Sequence, residues 1–335
     1  MNTALAPAPL VDRFGRVHTS LRVSVTDRCN IRCAYCMPAT GVKFLPRNEI
    51  LSFEEITRFV RILSAHGVRK VRLTGGEPLV RHNLSELVSQ LAALPDVEEI
   101  ALTTNGMLLA DQAEALKTAG LDRLNISLDT LREAKFEQIS RRTGLDQVLA
   151  GIASAEAAGF EGTRLNATSL RGFTEEEIIP LAEFALERGL ELRFIEYMPL
   201  DAGHTWSHEQ VLTGSEVLRR LGERFGELMP VEREDSSQPA VDYTVPGGGR
   251  IGFINSVSEP FCGDCNRLRL TAEGQVRNCL FSTIEYDARV LLRNGASDEE
   301  LAQLVADAVA AKLPGHAIND ESFLRPQRAM YQIGG

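Results

Sequence analysis

No apolar run in the 335 residues approaches the length of a membrane span, so no transmembrane helix is expected. The start, Met1 to Pro7, has no basic region leading a hydrophobic stretch; no signal peptide is expected, and the reading is cytoplasmic and membrane-free. Basic residues are in deficit. With 36 Lys and Arg against 46 Asp and Glu, the formal net charge of -10 argues against nonspecific nucleic-acid binding. Any anionic ligand must therefore meet a local patch of cations. There is no internal repeat beyond a βα rhythm and no low-complexity tract. Cysteine is scarce: six in a chain this long do not make a small secreted protein's disulfide framework, and read instead as metal ligands or catalytic groups. The remaining composition, 44% hydrophobic and 24% charged, suits one large globular domain or a large one with a smaller.

The six cysteines fall into two groups of three. Cys29, Cys33 and Cys36 are spaced C-x3-C-x2-C directly after the alternating apolar stretch Leu21 to Val25. Three thiolates hold three irons of a four-iron cluster and leave the fourth open, whereas structural zinc closes its tetrahedron with four ligands, and no nearby Cys or His completes this one. A thiol-rich loop at a strand's C-terminal end is also where barrel enzymes place their chemistry. Cys262, Cys265 and Cys279 are spaced C-x2-C-x13-C; spacing alone leaves zinc and iron-sulfur equally open for this group.

Strand-like runs alternate with helical patterns to about residue 200. After the first come Val71 to Thr74, Ile100 to Thr104, Leu124 to Leu128, Arg164 to Thr168 and Leu192 to Glu196. Helical spacing marks Phe53 to Ala65 and Glu175 to Arg188, with Ser52 and Thr174 placed to cap them. Six βα units predict a parallel sheet with helices outside, and six is too few for a closed barrel. The expectation is an α/β partial (β/α)6 TIM-like barrel over 13–205, with a doubly wound sheet as the alternative. A smaller α+β domain is expected over 206–335. There Pro230 to Gly249 reads as loop, Ile251 to Ile254 and Arg267 to Leu270 alternate like antiparallel strands, and Asp298 to Leu313 reads as helix. Thr74, Thr103, Ser127 and Glu196 near strand ends would line one mouth.

The first triad resembles the signature of the radical S-adenosylmethionine (SAM) superfamily. Adding the second triad, Gly75-Gly76-Glu77-Pro78, Leu102-Thr103-Thr104-Asn105-Gly106 and the terminal Gly334-Gly335, nearly the whole chain is similar to the GTP 3',8-cyclases of molybdenum cofactor biosynthesis, the MoaA type. The resemblance implies two 4Fe-4S clusters, the first cleaving SAM to a 5'-deoxyadenosyl radical and the second, in the C-terminal iron-sulfur domain, binding the purine of GTP. It assigns SAM contacts to Tyr35, Gly76, Ser127 and Met198, and GTP contacts to Arg22, Arg72, Thr103, Arg164, Arg193, Arg267 and Arg269. Arg164 stands where the family often has lysine, which keeps the charge and changes the geometry. Guanidinium groups suit a triphosphate, and Arg22, Arg72 and Arg193 lie within apolar strand runs where an unpaired charge is costly. The resemblance also implies an electron donor, a homodimer and a Gly-Gly tail that enters the active site. It names no acid or base. Two other readings are a radical SAM peptide maturase with an auxiliary cluster and a noncatalytic iron-sulfur protein.

Overall fold

The computed structural model describes residues 7–334. Met1 to Ala6, most of the expected leaderless start, and Gly335, the last residue of the tail, lie outside the described residues. No helix among the described residues is long and apolar enough to cross a membrane.

The six expected strands form where apolar residues recur at every second position: β1 (Ser20–Ser24), β2 (Lys70–Thr74), β3 (Glu99–Thr104), β4 (Arg123–Ser127), β5 (Arg164–Ser169) and β6 (Glu191–Glu196). Leu21 and Val23, Val71 and Leu73, and Leu124 and Ile126 are buried in one continuous core with Ile56, Phe59, Leu84 and Leu87 of the covering helices. The alternate positions, Arg22, Arg72, Thr103, Asn125, Ser127, Asn166 and Arg193, therefore share the opposite face. Each fully buried aliphatic side chain contributes roughly 1.5–3 kcal/mol, so the outward face holds the sheet and frees the inward face for polar groups.

Neighbouring strands follow chain order from β1 to β6, all parallel, which excludes the reversal of order found in a doubly wound sheet. The C-terminal segment extends both edges of this sheet rather than forming a separate sheet. Strands β7 (Met229–Pro230), β8 (Val241–Thr244) and β9 (Arg250–Ile254) follow β6, with β9 parallel to β6. Strands β10 (Arg267–Leu270), β11 (Gln275–Arg277) and β12 (Tyr286–Asp287) flank β1, with β10 parallel to β1. The antiparallel expectation holds only for the partners outside them: β8 with β9, and β10 with β11. β8 also corrects the reading of Pro230 to Gly249 as loop throughout.

Helix α1 (Phe53–Ala65) starts as expected, Ser52 accepting from the Glu55 N–H in a capping box. Thr174 does not cap. Its hydroxyl accepts from Leu170 N–H at 2.9 Å and donates to the Thr168 carbonyl at 2.9 Å, folding the chain back onto β5, and the helix begins later, at Ile178–Glu187.

Candidate active site

The first triad sits on a loop fastened to two neighbours. Gly76 and Glu77 donate backbone hydrogen bonds to the Thr26 and Arg28 carbonyls at 2.7 Å each, and Arg32 and Ala34 donate to Ser140 and Ile139. Gly75 and Gly76 are glycines for a reason internal to the protein. A Cβ on Gly76 would lie 2.4 Å from the Arg28 carbonyl oxygen, and one on Gly75 2.6 Å from that of Thr26. Glu77, 1% exposed, then ties this turn to the next strand, accepting from Asn105 N–H, the Thr104 hydroxyl and Leu79 N–H. Burial raises its carboxyl to about 7 against those three donors.

Burial, with Glu77 adding to it, raises the Cys29 thiol to about 11; burial, with Cys29 adding to it, raises Cys36 to about 12. Cys33 is pushed well above its ordinary value by burial and then by Asp129 and its sister thiols. Thiols held so high are poor nucleophiles at neutral pH, and become thiolates when a metal replaces the proton.

The second triad opens onto the same cavity, of about 300 Å³, which all six cysteines line. Two buried cations hold its backbone. Arg16 donates to the carbonyls of Cys262 at 2.8 Å, Pro314 at 3.1 Å and Leu313 at 2.8 Å, and its Nε meets Asp12 Oδ2 at 2.6 Å. Lys312, 3% exposed, donates to the carbonyls of Cys265 at 3.1 Å and Arg267 at 3.0 Å, with its Nζ 3.6 Å from Cys265 Sγ. Burial alone would raise the Cys265 thiol, but Arg267 and Lys312 outweigh it and bring it down to about 6. Sequence reasoning missed both clamping residues. The Asp12 and Arg16 pair, four apart with Gly15 at φ +81° between them, was the available signal of a turn; a lone Lys312 offered none.

The residues assigned to SAM come together. Tyr35, Gly76, Ser127 and Met198 all line the cavity, and the Tyr35 hydroxyl donates to Asp129 Oδ2 at 2.7 Å, whose other oxygen accepts from Thr168 N–H. Those assigned to GTP divide. Arg22, Thr103, Arg267 and Arg269 line the cavity. Arg22 stands in register with Arg269 on one side and Arg72 on the other. Burial and the charges of Arg269 and Arg267 drive Arg22 well below its ordinary value. Guanidinium stays protonated, so that direction marks a charge short of partners. Arg72, also pushed down by burial and by Arg22, lies next to the lining, and neither it nor Arg22 has an ion pair among the described residues. Arg164 and Arg193 are engaged elsewhere: Arg164 Nε meets Glu191 at 2.5 Å, and Arg193 meets Asp242 at 3.3 Å. Gly252 leaves room for the second pair, since a Cβ there would lie 2.3 Å from Asp242 Oδ1.

The tail reaches this mouth. Gly334 packs against Ser24 and Thr74 at the ends of β1 and β2, and its carbonyl accepts from Arg269.

Residues 23–185 match the Radical SAM superfamily, and residues 190–318 match Molybdenum Cofactor Synthesis C. A GTP 3',8-cyclase of Rhodopirellula baltica is 51% identical over 333 residues, covering 98% of this chain and 93% of that one. This chain belongs to the GTP 3',8-cyclase family. Another family member, from Corynebacterium glutamicum, is 49% identical over 97% of this chain and 89% of its own. The fold is shared more widely: Streptococcus suis SuiB bound to S-adenosylmethionine superposes with a TM-score of 0.59 at 16% identity, over 86% of this chain and 67% of that one.

Radical SAM membership brings a 4Fe-4S cluster and SAM, and the residues present fit both. Three free thiols, crowded enough to disfavour one another's ionisation, face the cavity with no fourth cysteine among them. No group of three or more His, Cys, Asp or Glu among the described residues is arranged to hold a single metal ion.

Proposed function

We propose that this chain converts GTP to 3',8-cyclo-7,8-dihydro-GTP, an early step of molybdenum cofactor biosynthesis, in the cytoplasm. The observation that carries this reading is the convergence of both cysteine triads and of Arg22, which has no ion pair among the described residues, with Arg267 and Arg269 on one cavity. In that reading residues 13–205 hold the first cluster and SAM, and residues 206–335 hold a second 4Fe-4S cluster through Cys262, Cys265 and Cys279. The homodimer and the external electron donor belong to the same proposal.

When bound, the first cluster and SAM supply the radical that removes the ribose 3' hydrogen. The protein's residues do the rest by placement. Arg22, Arg267 and Arg269, in an interior where charge is weakly screened, take up the triphosphate, which supplies the counter-charge that Arg22 lacks. Arg72 extends that row one strand further in. The C-terminal triad fixes the base end, and a substrate held at both ends keeps C3' and C8 in reacting geometry away from water. Thr103, Ser127 and Met198 shape the wall between. Arg164 and Arg193 take part once a polyphosphate competes for them with Glu191 and Asp242. A peptide substrate would leave the arginine row uncompensated, which favours the nucleotide.

The test is anaerobic turnover of reconstituted protein with SAM, a reductant and GTP deuterated at the ribose 3' carbon. Deuterium in the released 5'-deoxyadenosine supports both substrate and abstraction site. SAM cleavage without label transfer would overturn the substrate, and no cleavage despite intact clusters would overturn the enzyme.

A further inference from the structure

Lys312 is a buried cation without a carboxylate. The helix Asp298–Ala310 buries Leu301, Val305, Ala308 and Val309 in the main core, and just past its end the Lys312 N–H closes on the Val309 carbonyl at 3.0 Å. Helix packing therefore fixes where the side chain starts. Other buried cations of this protein meet a carboxylate: Arg16 has Asp12, Arg193 has Asp242 and Arg277 has Glu285. Lys312 has no ion pair among the described residues, in a chain where 46 acidic side chains outnumber 36 basic ones. An ammonium buried this deeply is costly unless a counter-charge reaches it.

Its partners say where that counter-charge lies. The Nζ atom donates to the carbonyls of Cys265 and Arg267 and stands 3.6 Å from Cys265 Sγ. Two oxygens and a sulfur match the three protons of an ammonium and leave none over. Cys262, Cys265 and Cys279 are free thiols lining the cavity, whereas Lys312 lies behind them and outside the lining. A 4Fe-4S core held by three thiolates is net negative, more so once reduced, and its potential follows that charge and the hydrogen bonds to its sulfurs. A cation at a ligand sulfur, in a weakly screened interior, bears on both. Arg267 also acts on Cys265, but it faces the cavity, where a nucleotide would claim its charge. The first triad keeps opposite company: the foremost charge acting on Cys29 is Glu77, and on Cys33 it is Asp129.

We infer that Lys312 is a positioning residue for the second centre, the resident counter-charge that raises the reduction potential of the cluster held by Cys262, Cys265 and Cys279 and keeps its open iron electron-poor enough to bind a purine. The inference rests on the proposed reading of that triad as a 4Fe-4S site. By holding the Cys265 and Arg267 carbonyls together, the same ammonium also fixes a cluster ligand against a nucleotide-facing arginine. Lys312 touches neither substrate nor cavity, so it acts only through these two residues.

Redox titration of the reconstituted full-length protein, followed by electron paramagnetic resonance, tests this. The signal that shifts on adding SAM belongs to the first centre, and the one that does not belongs to the second. The variants are Lys312→Met, which removes charge and donors, and Lys312→Gln, which keeps donors for the two carbonyls without the charge. In both, the reduced fraction of the second centre at a fixed potential should fall at least about tenfold, a midpoint about 59 mV lower. The first centre should stay within about twofold, and the GTP needed to perturb the second signal should rise about tenfold. An unchanged second potential with full iron content overturns the inference, as does an equal shift of both centres, which would be a general field. Loss of the second cluster's iron from both variants, with the first intact, also overturns it and makes Lys312 an assembly residue. A wild type that binds the iron of one cluster only would instead strike the reading of the second triad, and the inference with it.

Discussion

Removing the Arg16 guanidinium should loosen the second triad and cost the protein much of its stability. The Asp12 side chain is 0% exposed and that of Arg16 7%, so Arg16→Met strands a carboxylate where water cannot reach it. Two backbone donors, Phe14 and Arg16 N–H, remain to Asp12, but the carbonyls of Cys262, Leu313 and Pro314 lose their donor. Breaking one side of a buried pair costs about 3–5 kcal/mol, a range that includes the partly relaxed carbonyls. Set against a domain stability of about 5–15 kcal/mol, the loss is large. Urea unfolding of the cluster-free protein isolates it from metal content. The double variant Asp12→Asn/Arg16→Met should recover about 1–2 kcal/mol relative to the sum of the single changes, because the stranded charge is gone. The pH dependence gives a second reading. Burial raises the Asp12 carboxyl, but its hydrogen bonds from Arg16 and Phe14 and the guanidinium charge outweigh that and hold it below the usual 3.8. That stabilisation is present above pH 3.8 and lost as pH falls through the depressed value; in Arg16→Met the carboxyl rises instead, and acid should narrow the gap between variant and wild type. A loss under about 1 kcal/mol at neutral pH, with no recovery in the double variant, would refute the clamp.

Gly76→Ala forces a methyl to 2.4 Å from the Arg28 carbonyl oxygen, so iron analysis should give loss of the first cluster with the second retained; a full complement of iron would contradict the packing account. Arg22→Gln removes a buried cation on which Arg269 and Arg267 act with like charge, so the ligand-free protein should be no less stable, while GTP binding by calorimetry weakens about tenfold or more. Lower stability with unchanged affinity would make Arg22 a structural residue. His18 is fully buried, neither ring nitrogen has a hydrogen-bond partner, and burial with the Lys312 charge takes it from 6.5 to about 4. The unfolded chain binds its proton first, so its contribution is complete above pH 6.5 and falls by roughly 3 kcal/mol towards pH 4. In His18→Leu, chemical denaturation across that window should show most of the slope gone, and an unchanged slope would exclude His18 as its source.

The barrel was legible because each of its strands alternates on its own, without reference to its neighbours: Leu21, Arg22 and Val23 announce two faces as clearly as Leu165, Asn166 and Ala167 do. Where β9 and β10 attach was not legible, since the edge a strand joins depends on which edges six units leave open. The cysteines and the cavity-lining Arg22, Arg267 and Arg269 were readable from residue type and motif. The ion pairs of Arg164 and Arg193 were not, because Glu191 and Asp242 meet them only across strands. Gly76 was assigned a SAM contact by resemblance, and the nearest steric demand on it and on Gly75 is the cysteine loop itself. Thr174 had the right residue type for a cap and a better offer from β5.

Because β10 completes the edge of β1, the first strand made must wait for one of the last. Some 243 residues separate Ser24 from Arg267, and at ribosomal rates of about 5–20 residues per second the β1 edge stays open for roughly 12–50 s. During that time the nascent chain presents an unpaired parallel edge beside three unligated thiols. Synthesis order therefore sets assembly order: the cysteine loop at the end of β1 emerges long before the strand that seals its flank, and metal loading before that closure would find the loop more accessible than it is ever again.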